Sequence, residues 1–181
     1  MASTLKQILL IEDSTNDAEL LKEALFSKEA AGTAEFSLEW AKNLRSGIER
    51  LEKGGIDIVI MDLGLPDGHG LMTFTTLQQA VPHVPVIILT GTYQEDAIGM
   101  EAVKQGAQDF LTKGEVDGKL LCRMMRYAIE RKQSIEALKR EKEKVEQMNR
   151  FMVDRENRLI ELKREVNSLL TDLKQPPRYN F

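Results

Sequence analysis

Cysteine is nearly absent: Cys122 is the one thiol among 181 residues. A single cysteine excludes an internal disulfide framework and a cysteine-based zinc site. Nothing in the chain approaches the ~18 consecutive apolar residues of a membrane span. The first residues, MASTLKQILLIED, hold one lysine and a short apolar run with acids directly behind it. They lack the length and cleavage site of a signal peptide. These absences point to a reducing, cytoplasmic location with no membrane partner. Histidine is scarce too, and His69 and His83 lie in loop-like contexts that read as surface positions. No GxxxxGK(S/T) sequence occurs, which excludes a phosphate-binding loop of that kind. The chain shows no internal repeat and no low-complexity tract.

What is present is abundant charge around a patterned apolar fraction. Charged residues make up 30% of the chain and hydrophobic residues 42%, with a mean hydropathy of -0.32. The formal net charge of -4 is unevenly spread. Residues 1–127 carry 19 acids against 12 Lys and Arg, whereas residues 128–181 carry 10 against 13. An acidic front half argues against a nucleic-acid surface. The positive excess of the tail is interspersed with acids and reads as a solvated helix face. The length allows one ordinary domain plus an extension.

The chain is organised around Ile56–Gly70, IDIVIMDLGLPDGHG. Its apolar run, Ile56–Met61, is interrupted only by Asp57 and gives way after Asp62 to Gly64, Pro66, Gly68 and Gly70. Such a run closed by turn residues reads as a buried parallel strand. Asp62 then sits at the strand's carboxyl end, where open α/β sheets bind ligands. On this stretch alone it reads equally as a helix N-cap. Four more strands are expected at Gln7–Ile11, Phe36–Trp40, Val86–Thr90 and Asp109–Thr112. Helical periodicity runs through Asp17–Ser27, Leu44–Lys53, Gly68–Gln79 and Gln94–Gln105. Five alternations with short connections predict a parallel sheet covered on both faces.

A parallel sheet gathers its strand ends at one edge. Here they offer Glu12 and Asp13, Asp62, Thr90 and Lys113. Three carboxylates in one place repel each other, more strongly when buried, and need a cation. Oxygen ligands without His or Cys suit Mg2+. A lysine and a hydroxyl beside them suit a phosphoryl group. Phosphoryl transfer to a carboxylate would use all five residues, with Asp62 as nucleophile. Trp40 and Cys122 read as packing residues, and Tyr93 as an exposed ring or a partner contact.

The segments EDSTNDAELL, DLGLPDGHG, LTG and DFLTKG, in this order within residues 5–127, resemble the receiver (CheY-like) domain of two-component response regulators. The resemblance implies a flavodoxin-like (βα)5 fold, a doubly wound parallel sheet of strand order 2-1-3-4-5. It implies Asp62 as the phosphoacceptor and Glu12 and Asp13 as the Mg2+-binding acids. The Gly64 backbone carbonyl would join them at the metal. Thr90 takes the place of the switch hydroxyl, Phe110 that of the switch aromatic, and Lys113 that of the lysine contacting the phosphoryl group. A histidine kinase or phosphotransfer protein would be the donor. The chain would be no enzyme beyond its own phosphorylation and dephosphorylation. Three departures stand out. Gly114 follows the lysine where the family usually has proline. Phe110 lacks the hydroxyl of the common tyrosine. Gly64 and Thr92 offer no acid or amide to position a hydrolytic water, which predicts a long-lived phosphoryl group.

After residue 127 the character changes. One long helix is expected over Asp117–Lys174, its first turns (Leu120, Leu121, Met124, Met125, Ala128) packing on the sheet. A heptad seam follows, with Val145, Met152, Leu159, Val166 and Leu173 at one position and Met148, Arg155, Leu162 and Leu169 at the other. From Val145 to Leu173 only Arg155 is polar on it, over a span of roughly 43 Å. The seam predicts a coiled coil with a second copy; the rival is an amphipathic helix folded back on the domain. The expected organisation is a receiver domain over 1–127 and a helical extension over 128–181 with a frayed tail, KQPPRYNF. No helix-turn-helix is visible after the receiver. Output is therefore expected through coiled-coil dimerisation or protein docking, without nucleic acid. The alternative is a constitutive coiled-coil scaffold in which phosphorylation is secondary. A nucleic-acid regulator using Arg155, Arg158, Lys163 and Arg164 is opposed by the interspersed acids.

Overall fold

The computed structural model describes residues 5–27, 36–91, 96–114 and 117–180; Thr92 and Tyr93 lie outside them. The chain forms two compact units, residues 1–134 and 135–181. The first contains the strands β1 (Lys6–Ile11), β2 (Phe36–Ala41), β3 (Ile58–Asp62), β4 (Val86–Thr90) and β5 (Asp109–Thr112). They form one parallel sheet of order β2-β1-β3-β4-β5, the order expected of the flavodoxin-like fold. The crossovers carry α1 (Thr15–Phe26), α2 (Leu44–Glu52), α3 (Leu71–Ala80) and α4 (Asp96–Lys104). The last helix, α5, runs from Gly118 to Asp172.

Side-chain alternation along the strands builds two cores. Leu9, Ile11, Val59, Met61 and Ile88 face one way and meet Leu44, Leu51, Phe74, Leu77 and Ala102 of α2, α3 and α4. Ile8, Leu10, Ile58, Ile60 and Ile87 face the other way and meet Leu21 and Leu25 of α1 and Leu121, Met125 and Ile129 of α5. Ile8–Ile11 of β1, Ile58–Met61 of β3 and Val86–Leu89 of β4 are continuously apolar because both faces are covered.

Most boundaries lie within a residue or two of those expected, and the later starts of β3 and α3 have local reasons. β3 begins at Ile58, not Ile56. Asp57 is occupied at the sheet's edge, accepting from the Gln7 amide (2.9 Å) and the Lys6 ammonium (3.1 Å). α3 begins at Leu71, not Gly68. Gly70 has φ +50° and ψ -130°, a backbone outside the helical region that favours glycine.

The second unit holds the remainder of α5 and a short return. Lys174 adopts φ +57° and turns the chain. Asn167 then does for the return what a backbone strand would do. Its Nδ2 donates to the Tyr179 carbonyl (2.6 Å), and its Oδ1 accepts from the Arg178 and Tyr179 amides (2.9 and 3.1 Å). The tail is held where fraying was expected.

The loop after β3 is tied to α2. Asn43 caps that helix by accepting from the Ser46 amide at 2.8 Å. Asp67 takes the two preceding donors, Leu44 N and Arg45 N, at 2.8 and 2.9 Å. Some burial works against the Asp67 charge, but these amides prevail and hold its carboxyl below the usual range. A group with a depressed folded pKa stabilises above its unfolded pKa and loses that contribution as pH falls through the folded one. Asp67→Ala should therefore cost about 1 kcal/mol at neutral pH, as helix caps do. Urea unfolding should show the gap to wild type closing below about pH 4, the ordinary aspartate range.

Candidate functional site

The parallel register delivers the site. Ile11 pairs with Met61, so Glu12 and Asp62 leave the sheet side by side. Thr90 pairs with Thr112, which brings Lys113 to the same edge. One carboxylate oxygen from each of Glu12, Asp13 and Asp62 lies within 4.8 Å of the others. Glu12 is fully buried, Asp62 is largely covered and Asp13 is exposed. Lys113 Nζ stands among carboxylates, 2.7 Å from Asp62 Oδ2, 2.7 Å from Glu12 Oε2 and 3.0 Å from Asp17 Oδ2.

Burial and charge oppose each other at Lys113 and at Glu12. Burial pulls the Lys113 pKa down, but Asp62, Glu12 and Asp17 outweigh it and raise the pKa well above the ordinary lysine value. Burial also dominates at Glu12, raising its pKa against the lowering effects of Lys113 and of the Ser14 amide, which donates to Oε1 at 3.1 Å. Buried Glu12 Oε2 meets Lys113 Nζ as an ion pair at 2.7 Å and has no further hydrogen-bond partner among the described residues. An under-satisfied buried oxygen beside two more carboxylates, with no His or Cys, fits a hard divalent cation such as Mg2+.

The remaining expected residues lie around this cluster. Gly64 donates its amide to Asp62 Oδ1 at 3.1 Å. Thr90 is buried, and its hydroxyl donates to the Leu111 carbonyl at 3.3 Å. Phe110 is half-buried against the α2–α3–α4 core, its ring lying over Gly99 of α4, where a Cβ would come within 2.6 Å of Phe110 Cγ. Gly114 has φ +86°, which proline cannot adopt, so the loop after Lys113 takes its own shape here.

Two contributors escaped the sequence reading. Asp17, taken as part of a helix start, reaches Lys113; its place four residues after Asp13, on the first turn of α1, was the available signal. Trp40, taken as packing, donates Nε1–H to the Glu12 carbonyl at 2.7 Å. Lys42 Nζ lies 5.1 Å from the centre of the Trp40 ring. The indole thus fixes the backbone from which the acid pair projects.

This fold, with an acidic cluster at the carboxyl edge of its sheet, is that of a receiver domain. Residues 8–126 match the response regulator receiver domain family, and the chain belongs to it. It is 36% identical over 106 residues to the swarming motility regulation protein RssB of Serratia marcescens, covering 59% of this chain and 45% of that one. It is 28% identical over 110 residues to the chemotaxis protein CheY of Thermotoga maritima, covering 60% and 85%. A receiver domain protein of Clostridium thermocellum superposes with a TM-score of 0.59 and 28% identity, over 72% of this chain and 99% of that one. The chain spans less than half the length of RssB. Receiver domains bind Mg2+ at an acidic pocket and are in general phosphoacceptors without enzymatic activity of their own. No helix among the described residues is long and apolar enough to cross a membrane.

Trp40 is the sole tryptophan of the chain, so its fluorescence reports on this site alone. Mg2+ titration of the full chain should shift Trp40 emission saturably. Trp40→Phe, followed by calorimetry, should weaken Mg2+ binding by about tenfold, the lower end for supporting residues of a metal site. Unchanged affinity would show that the indole bond does not position the acids.

Proposed function

We propose that the chain accepts a phosphoryl group on Asp62 from a histidine kinase or a histidine phosphotransfer protein, and signals through its C-terminal helix. The observation that carries this is the sharing of Lys113 among Asp62, Glu12 and Asp17. In the transfer, a carboxylate oxygen of Asp62 bonds to phosphorus and the P–N bond breaks. The imidazole leaves with the electron pair of that bond and takes a proton from solvent. Glu12, Asp13, Asp62 and the Gly64 carbonyl would hold Mg2+, which when bound neutralises charge on the transferring group. Lys113, already charged, turns from the carboxylates to the new phosphoryl oxygens. Thr90 exchanges the Leu111 carbonyl for a phosphoryl oxygen, and Phe110 settles further inward beside Gly99. The local charge change thereby biases a two-state face.

Output falls to the extension. The seam residues Val145, Met148, Met152, Leu159, Leu162, Val166, Leu169 and Leu173 are exposed, which supports pairing with a second copy or docking on a partner protein. The receiver reading over 1–127 and the extension over 128–181 then have separate tasks in a cytoplasmic protein without a nucleic-acid partner. The seam is exposed with Asp62 unmodified, which also favours the rival reading of a constitutive scaffold.

Incubation with a phosphohistidine donor and Mg2+ should load one base-labile phosphoryl group per chain. Asp62→Asn or chelation should reduce loading at least a hundredfold, and labelling that survives Asp62→Asn would refute the assignment. Light scattering with and without beryllofluoride, a phosphoryl mimic, separates the outputs. A monomer that dimerises only with the mimic indicates regulated assembly, and a dimer in both states indicates the scaffold.

A further inference from the structure

The seam of α5 also constrains the direction in which it pairs. Between Met148 and Leu173 its two core positions are apolar and exposed, from 37% at Val166 to 70% at Leu173, except at Arg155. The returning tail does not cover it. Its anchors, Asn167 and Lys163, sit on the flank of the helix, where the Tyr179 ring lies 5.7 Å from Lys163 Nζ.

Consider first two copies in parallel and in register. Each seam residue then meets its own counterpart, so Arg155 faces Arg155 in a core layer. The flanking positions follow the same geometry, each pairing with the residue five further on in the other copy. Arg158 would flank Lys163, and this like-charge contact would occur twice. None of the other flanking pairs between Lys144 and Leu170 joins opposite charges.

Consider next two antiparallel copies, with Leu159 opposite Leu162. Arg155 now lies opposite Val166 rather than another arginine. Its alkyl stem can cover the valine while its guanidinium reaches water. The flanks become Arg158 with Glu165 and Glu156 with Lys163, each occurring twice. Four opposite-charge contacts replace two like-charge ones. Moving one heptad either way destroys the match. One shift sets Arg158 against Arg158 and Glu156 against Glu156. The other sets Glu165 against Glu165 and Lys163 against Lys163.

We infer that residues 148–173 form an antiparallel two-stranded coiled coil with a second copy of this chain, in the register that places Leu159 opposite Leu162. This rests on the reading that the seam takes a second copy, and the test separates the two. In the full chain, sedimentation equilibrium with beryllofluoride and Mg2+ measures dimer affinity. Arg158→Glu should weaken the dimer roughly tenfold, since two attractive flanks become repulsive. Adding Glu165→Arg should restore it. In the parallel arrangement Arg158→Glu would meet Lys163 and strengthen the dimer, which would overturn the orientation while leaving self-pairing intact. A wild-type chain that stays monomeric would remove self-pairing altogether, and a trimer would overturn the two-stranded register. A spin label at Lys142→Cys, in a Cys122→Ala chain shown to be folded, gives an independent reading. The antiparallel register separates the two labels by about 55 Å, from the ~1.5 Å rise per residue. The parallel one brings them within about 20 Å, given the 8–10 Å between packed helix axes.

Discussion

A single ammonium group holds the carboxyl edge of the sheet together. Lys113 Nζ is within 3.0 Å of three carboxylates, and Asp13 adds a fourth acid to the same cluster. One positive charge cannot balance them. Two like charges 4 Å apart repel by about 4 kcal/mol where the effective dielectric is near 20. Burial of Glu12 keeps water from screening this repulsion. The site thus has a standing demand for positive charge, which a divalent cation would meet. In the proposed function a phosphoryl group on Asp62 would renew that demand and compete for the same lysine. The charge imbalance and the proposed switch would then have one origin.

Holding such a cluster requires a rigid edge, and the fold provides it at several points. The two-sided core fixes β1, β3 and β4, whose last residues lead directly into the acids and Thr90. The Trp40 indole clamps the Glu12 carbonyl from the neighbouring strand β2. Asp67 fastens the loop that carries Asp62 and Gly64 to the amino end of α2. Each of these bonds satisfies a backbone group that would otherwise be left without a partner near the sheet's edge. Positioning of the site and stability of the loops are thus provided by the same contacts.

Much of this was legible in the chain. Five apolar runs closed by turn residues fixed the strand count, and parallel topology alone placed Glu12, Asp62, Thr90 and Lys113 together. Those inferences rest on local periodicity and on which way a strand must run. Asp17 and Trp40 were not legible as site residues because their roles depend on contacts between distant parts of the chain: Asp17 meets a lysine 96 positions away, and Trp40 a carbonyl 28 positions away. An aspartate at a helix start and a tryptophan in a strand each have an adequate local explanation, so nothing local calls for a second role. The tail's return is not legible for a related reason. Prolines and polar residues signal the end of a helix, but not that an Asn one turn inside it will bind the returning backbone.

Arg155 acquires a meaning through orientation. A lone cation in an apolar seam weakens any pairing, because burial of its charge is opposed. The loss is unequal between arrangements, and specificity is a difference between arrangements rather than a sum of contacts. In parallel strands two such cations share a layer; in antiparallel strands each faces an apolar residue. The flanking charges favour the same arrangement, since the positions of Arg158 and Lys163 repel in one and are matched by Glu165 and Glu156 in the other. A purely apolar seam would pair more strongly but would leave the choice of geometry to the flanking charges alone. In the proposed pairing, the polar residue that looks like a flaw in the heptad would help to select its direction.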